Sequence, residues 1–167
     1  MKKFSFREIL AKIEFYVSAS GFLLMILMVS VNVFARYIFN KSFSFTEELA
    51  YLGFSYSVFF GACILYRKHA MISIDIIVDR LPKKAKNIVN TITFFLLAIV
   101  CAVMIYYSTK LAIEGWVRPT AALRIPYTFV DLSAVFAFII MTGYSIEFAI
   151  QSLRGKLEES AALEDRA

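Results

Sequence analysis

The residues with the richest chemistry lie in one polar stretch between two apolar runs of the chain. Arg36 ends the first run, and the acidic pair Glu47 and Glu48 opens the second. A helix favours a cation at its C-terminus and an acid at its N-terminus, and Ser44-x-x-Glu47 has the spacing of a capping box. We refer to residues 36–48 as the hinge. It predicts helix capping and an Arg36–carboxylate cluster, which partial desolvation at a membrane surface would strengthen.

Two interpretations of the hinge are open at this point. It is either a well-capped turn, as in many membrane hairpins, or a surface that docks another subunit. The remaining residues of the chain bear on this choice.

Other sites for catalysis or metal binding are scarce. His69 is the single histidine, which excludes a bis-histidine haem and leaves no adequate set of metal ligands. Cys63 and Cys101 lie inside apolar runs without a C-x-x-C pattern, so we expect buried, unpaired thiols. The chain contains no P-loop, nucleophile elbow or zinc motif. We therefore expect no enzymatic activity and no cofactor.

The composition is that of an integral membrane protein. Of the 167 residues 60% are hydrophobic, whereas soluble domains average about 45–50%, and the mean hydropathy is +0.69. Four apolar runs are long enough to cross a bilayer, and they cover residues 13–35, 48–66, 88–111 and 125–150. We predict an all-α fold with one four-span membrane domain over residues 1–167. The first run is expected to be retained, because no small-x-small cleavage site follows it.

Basic residues give an orientation for the four spans. Thirteen Lys and Arg residues fall on the face that carries both termini, and five fall on the opposite face. By the positive-inside rule both termini are expected in the cytoplasm, with the hinge outside. The net charge of +5 thus reflects topology and not a nucleic-acid partner.

The connection between spans 2 and 3 carries a second, shorter apolar pattern. Residues 74–81 repeat apolar side chains at helical spacing but are too few to span, which predicts an amphipathic helix lying in the interface. Lys83 and Lys84 follow and would meet the anionic head groups of phospholipids.

Residues within and beside the spans supply further candidates. Gly53, Ser57 and Gly61 form a stripe of small residues that packs either within the chain or against a partner chain. The connection before the last span carries Trp116, Arg118 and Arg124. Asp131 lies early in the last span, where an acid is costly unless paired, so we expect a pair with Arg124 or another outer cation.

The spans themselves lack a path for a solute or an ion. No ionisable residue lies near the middle of any span, no interrupted half-helices occur, and the two halves share no visible repeat. These absences favour a subunit that supports another protein.

The ordered motifs resemble one known family. The hinge pattern Arg36-Tyr37-x-Phe39-Asn40-x-Ser42-x-Ser44-x-Thr46-Glu47-Glu48 resembles the signature of the small (Q) membrane subunit of TRAP (tripartite ATP-independent periplasmic) transporters. The same order continues with Gly61-Ala62, Arg67-x-His69, Asp75, Leu81-Pro82 and Thr120-Ala121-x-x-x-Ile125-Pro126. The similarity covers roughly residues 15–150. Phe45 stands where a tryptophan is more usual, and Arg124 where a small residue is frequent.

This resemblance implies a set of partners. A large membrane subunit would carry sodium and a carboxylate solute, of the sialic acid or C4-dicarboxylate class, by an elevator movement. It would form a stable heterodimer with this chain in the bacterial inner membrane, and a periplasmic binding protein would dock transiently. The chain itself would be a non-catalytic scaffold. Hinge residues implied in docking are Arg36, Tyr37, Asn40, Lys41, Ser44, Glu47 and Glu48, while Arg67, His69 and Asp75 would stabilise a cytoplasmic elbow.

Two alternatives belong to other classes of membrane protein. The anchor of a redox complex would need a haem or quinone site, against which the single histidine argues. A small channel or exporter would need a polar stripe through a span, and none is visible.

Overall fold

Four long α-helices make up the part of the chain that the computed structural model describes, which is residues 6–68 and 83–153. They are α1 (Phe6–Phe39), α2 (Ser44–Arg67), α3 (Lys83–Gly115) and α4 (Thr128–Leu153). All four are long and apolar enough to cross a membrane. Those two described ranges contain no strand, only an isolated antiparallel bridge between Pro119 and Pro126. The predicted all-α fold with four spanning helices is confirmed.

The helices are longer than the predicted spans at most of their ends. α1 has 34 residues, about 51 Å at 1.5 Å per residue, whereas the hydrocarbon core needs only about 30 Å. The apolar runs of the sequence mark the part of each helix that crosses the hydrocarbon core, but they do not include the polar helical turns at its ends. α4 is the exception, because it begins at Thr128 and not at residue 125. Pro126 pairs with Pro119 in the bridge, so the chain there is extended.

Some predictions lie outside the described residues. These are the interfacial helix at 74–81 and the elbow residues His69 and Asp75. Lys83 and Lys84 open α3, and Arg67 ends α2.

The described residues form two compact units. The first combines α1 and residues 44–64 of α2 with residues 106–137. Its helices α1 and α2 meet at two glycines: a Cβ on Gly53 would lie 2.6 Å from the Gly21 carbonyl oxygen, and one on Gly21 would lie 2.7 Å from that of Gly53. The Ser18 hydroxyl donates to the Ser57 carbonyl at 3.0 Å, and a Cβ on Gly61 would lie 3.4 Å from that hydroxyl oxygen. The predicted stripe of small residues thus contacts α1 of the same chain.

Hydrogen bonds also connect the start of α4 to its neighbours within the first unit. The Tyr56 hydroxyl donates to the Phe129 carbonyl at 3.0 Å, and the Thr128 hydroxyl donates to the Ala112 carbonyl at 2.7 Å. Cys63 is buried, as expected, and its thiol donates to the Ala137 carbonyl at 3.5 Å.

The second unit combines residues 65–68 and 83–105 with residues 138–153, and buried or partly buried polar bonds join them. The hydroxyls of Tyr66 and Ser145 lie 2.7 Å apart. The Thr91 hydroxyl donates to Ser152 Oγ at 3.0 Å, and Ser152 Oγ donates to the Asn87 carbonyl at 2.9 Å. Such bonds hold helices together in lipid without exposing an unsatisfied group. Cys101, also in this unit, is buried and free.

Candidate docking site

The hinge begins with a helix end that the sequence indicates correctly. Arg36 lies in the last turn of α1, where the helix dipole favours a cation. Asn40 follows the helix with φ 52°. This left-handed conformation commonly terminates helices, and asparagine tolerates it better than most residues. Asn40 therefore reverses the chain toward α2.

Glu47 ties this reversal to α1. Its Oε1 accepts from Asn32 Nδ2 at 3.0 Å and from Ser42 Oγ at 2.9 Å. Asn32 Oδ1 in turn lies 3.1 Å from the Ser42 hydroxyl and accepts from the Phe43 amide at 3.3 Å. One carboxylate and one amide side chain thereby hold residues 42 and 43 against the side of α1.

The predicted capping box is wrong. The Glu47 carboxylate is directed to α1, where Asn32 and Ser42 supply donors, and does not return to the Ser44 amide. The first turn of α2 is instead closed by Thr46, whose amide and hydroxyl both donate to the Phe43 carbonyl, at 3.0 and 2.6 Å. Thr46 is fully buried.

Glu48 points to a different segment altogether. Its Oε1 accepts from the Ala122 amide at 2.7 Å, and its Oε2 accepts from the Leu123 amide at 2.8 Å. Both amides belong to residues 116–127, which we call the α3–α4 loop. Hydrogen bonds to an ionised group are shorter and stronger than neutral ones. Glu48 therefore fixes the tip of this loop to the start of α2.

The expected cluster of Arg36 with both carboxylates is only partly formed. Arg36 is the cation near Glu47 and acts on it through its charge, while the hydrogen bonds of Glu47 go to Asn32 and Ser42. Glu48 bonds to the loop instead. The two acids share a helical turn but not a partner.

The α3–α4 loop has internal order of its own. The Thr120 amide donates to the Ile125 carbonyl at 2.9 Å, and the Ile125 amide donates to Thr120 Oγ1 at 3.1 Å. The Tyr127 amide donates to the Arg118 carbonyl at 3.1 Å. Arg124 has φ 54°, the left-handed region that favours glycine. The tip therefore makes a tight reversal at a residue that is not ideal for it.

Asp131 lies where α3 ends and α4 begins. It is in the first turn of α4, where the dipole favours an acid. A Cβ on Gly115 would lie 2.9 Å from Asp131 Oδ2, so the glycine admits this close approach. Arg118 is the cation whose charge acts on Asp131. The expected pair of Asp131 with Arg124 or another outer cation stays a prediction, for which Arg118 is the candidate.

Aromatic and apolar side chains are exposed around this framework. Tyr37 is 82% exposed, Trp116 is 66% exposed and Val117 is 82% exposed. Lys41 and Ser44 are exposed too. The hinge and the loop therefore combine fixed backbone with exposed side chains, which suits contact with another protein.

Sequence reasoning missed several residues that build this site. Asn32 of α1 bonds to Glu47, Ser42 and Phe43 of the hinge. A polar side chain in an apolar run, one helical turn before Arg36, was the sequence signal that could have indicated this role. Gly21 and Thr46 were also missed as structural residues. Gly21 lies three residues after Ser18 in a small-residue segment, which is the signal that could have found it.

Two depressions accompany the site. The larger, of 570 Å³, follows α1 and α2 and includes Arg36 and Glu47 at its polar end. The smaller, of 370 Å³, lies between the start of α2 and the α3–α4 loop. Across residues 6–68 and 83–153, no group of three or more His, Cys, Asp or Glu side chains could hold a metal ion.

Comparison with known proteins covers both the hinge and the loop. The family described as tripartite ATP-independent periplasmic transporters, DctQ component, matches residues 25–155. A TRAP transporter small permease protein of Haemophilus influenzae is 28% identical over 131 residues, which are 75% of this chain and 79% of the relative. A second one from the same organism is 33% identical over 82 residues, 49% of this chain and 51% of the relative. The chain therefore belongs to the DctQ component family and is a multi-pass membrane subunit of a TRAP transporter.

Proposed function

We propose that this chain is the static scaffold of its transporter. It holds the large elevator-type membrane subunit in a stable heterodimer while that subunit moves a carboxylate solute together with sodium. The solute belongs to the sialic acid or C4-dicarboxylate class and arrives on a periplasmic binding protein that docks transiently. The chain contributes position and contact surface, and performs no catalysis.

The observation that carries this proposal is the divergence of the two acids at the start of α2. Glu47 binds α1 and the hinge, and Glu48 binds the α3–α4 loop. Two connections that a partner would touch are thereby fixed before it arrives. Docking on a preorganised surface avoids much of the entropy cost of ordering loops.

The distribution of charge in the helices also supports a scaffold. Between Glu14 and Arg36, Glu48 and Arg67, Lys86 and Lys110, and Asp131 and Glu147 there is no ionisable Asp, Glu, Lys, Arg or His side chain. Ion and proton pathways through a membrane use such residues. Solute and sodium therefore pass through the large subunit.

The proposed orientation places the hinge and the α3–α4 loop on the periplasmic side of the inner membrane, with both termini in the cytoplasm. It rests on the excess of Lys and Arg on the face with the termini. On that face residues 74–81, Lys83 and Lys84 contact phospholipid, and Arg67, His69 and Asp75 form the elbow.

Reconstitution into proteoliposomes tests the proposal. This chain alone, the large subunit alone and both together are supplied with binding protein, radiolabelled solute and a sodium gradient. We expect uptake only with both membrane subunits present. Uptake by this chain alone would refute the scaffold.

A pair of variants tests whether the contact of Glu48 with the α3–α4 loop matters for uptake. Glu48→Ala should lower uptake by the full complex while the chain still inserts into the membrane. Glu147→Ala is the matched control, because it removes an acid far along α4 from the loop. Equal uptake by Glu48→Ala and wild type would contradict the role given to the fixed loop.

A further inference from the structure

We infer that the 570 Å³ depression, which we call the α1–α2 groove, seats a transmembrane helix of the large subunit. This inference rests on the proposed scaffold function and names the surface through which it acts. The groove runs along one side of α1 and α2 between their glycine contact and the hinge. Its walls include Met25, Met28 and Arg36 from α1 and Ala50, Tyr51 and Phe54 from α2.

The residue types of the groove are those of a protein interface. Methionine, arginine and aromatic residues are enriched where proteins meet, and methionine adapts its shape to a neighbour. Tyr51 is 53% exposed and Phe54 is 49% exposed in this chain. Such side chains would be covered by a packed helix.

The exposed face of α3 provides the contrast. Between residues 88 and 103 of α3 the exposed side chains are all apolar, among them Ile88, Ile92, Phe95, Ile99 and Val103. An apolar surface of this kind is sufficient for contact with lipid tails. The α1–α2 groove instead places Asn32, Arg36 and Glu47 beside its apolar walls, and polar groups in spanning helices face protein partners or water more often than lipid.

The charges at the polar end define the chemistry of the occupant. Arg36 and Glu47 are the two charged side chains of the groove lining, and Glu47 is already bonded to Asn32 and Ser42. Arg36 is therefore the group for which a partner can supply a new charge-assisted bond. The helix seated here carries an acidic side chain at the level of Arg36.

Groove-filling variants test the inference by co-purification of the coexpressed large subunit. Met28→Trp places a large side chain in the groove, and Leu27→Trp places the same side chain one residue away on an exposed face, 50% exposed and outside the lining. We expect Met28→Trp to reduce the co-purified large subunit by about tenfold, because overpacking an interface is costly. Leu27→Trp should retain it. Equal retention by both variants would overturn the inference.

Charge variants test the polar end separately. Arg36→Glu should reduce co-purification more than Arg36→Lys, which keeps the positive charge. If the two variants behave alike, no acidic group faces Arg36 and that part of the inference fails.

Photocrosslinking identifies the occupant directly. A benzophenone side chain at position 51 should give an adduct with the large subunit. An adduct with phospholipid alone would assign the groove to lipid and overturn the inference. The proposed function fails in a different way: wild-type chain that does not co-purify with the large subunit would refute the scaffold itself.

Discussion

The hinge and the α3–α4 loop are both bound to α2 by a glutamate, but the groups that donate to the two glutamates differ. Each is a short connection that one carboxylate fixes to the start of α2. In the hinge Glu47 receives side-chain donors, from Asn32 and Ser42, with one oxygen atom. In the loop Glu48 receives two backbone amides with two oxygen atoms. The hinge contact thus depends on side-chain identity, and the loop contact depends on a complete carboxylate.

This difference makes the two connections separable by mutation. The hinge also depends on the packing of α1 against α2, because Asn32 belongs to α1. The contact of Glu48 with the loop does not involve Asn32, because its donors are the Ala122 and Leu123 amides. Four predictions follow that difference, in decreasing order of effect.

Gly53→Ala should have the largest effect and act mainly on the hinge. The added methyl group would lie 2.6 Å from the Gly21 carbonyl oxygen, so α1 and α2 must separate, at a cost of about 1–3 kcal/mol. Thermal unfolding in detergent measures this loss. Gly143→Ala is the matched control, because its Cβ would meet no atom within 4 Å. Equal melting temperatures for the two variants would contradict the close contact.

Glu48→Ala should loosen the loop and leave the hinge intact. The Ala122 and Leu123 amides lose their acceptor, so their hydrogen exchange should accelerate by about tenfold. Exchange at Phe43, whose amide donates to Asn32, should not change. Glu48→Gln should give an intermediate rate, since the amide side chain keeps one acceptor oxygen. Unchanged hydrogen exchange at residues 122 and 123 would show that the loop keeps its conformation without the Glu48 carboxylate.

Glu47→Gln should have a smaller effect than Glu48→Gln. A glutamine at position 47 retains an oxygen that can accept from Asn32 and Ser42, because both bonds use one oxygen of the glutamate. Side-by-side exchange rates for the hinge and loop amides measure the two variants. A larger change for Glu47→Gln would reverse the assignment of side-chain and backbone roles.

Arg124→Gly should have the smallest effect and raise stability. Arg124 adopts φ 54°, and a left-handed conformation costs a non-glycine residue about 1–2 kcal/mol. Part of this gain is offset by the greater freedom of glycine in the unfolded chain. Asn40→Gly, at φ 52° in the hinge, should gain less because asparagine tolerates this region. Comparing the two melting temperatures checks the order.

Local pattern predicted the helices well and the contacts between distant segments poorly. The apolar runs gave all four spans, and Arg36 and Asp131 lie at helix ends that the dipole argument favours. The capping box failed because Asn32, twelve residues before Ser44, offers Glu47 a better set of donors together with Ser42. A rule that considers only four consecutive residues contains no information about such a competitor.

The contact of Glu48 with the loop illustrates the same limit at longer range. Its partners are 74 and 75 residues away in the chain. Both Glu48 and Thr120-Ala121 belong to motifs of the family, yet a motif does not state which of its members touch. Likewise Gly53 was visible as a small residue, but its partner Gly21 follows only from the way α1 crosses α2.

The adjacency of Glu47 and Glu48 has a mechanical consequence. Neighbouring residues on a helix point about 100° apart. The start of α2 can therefore bind two separate segments, the hinge through Glu47 and the α3–α4 loop through Glu48. A push on either connection is transmitted to the axis of α2 and from there to the other. A partner subunit that moves against this end of the chain would therefore displace the hinge and the α3–α4 loop together, and not one independently of the other.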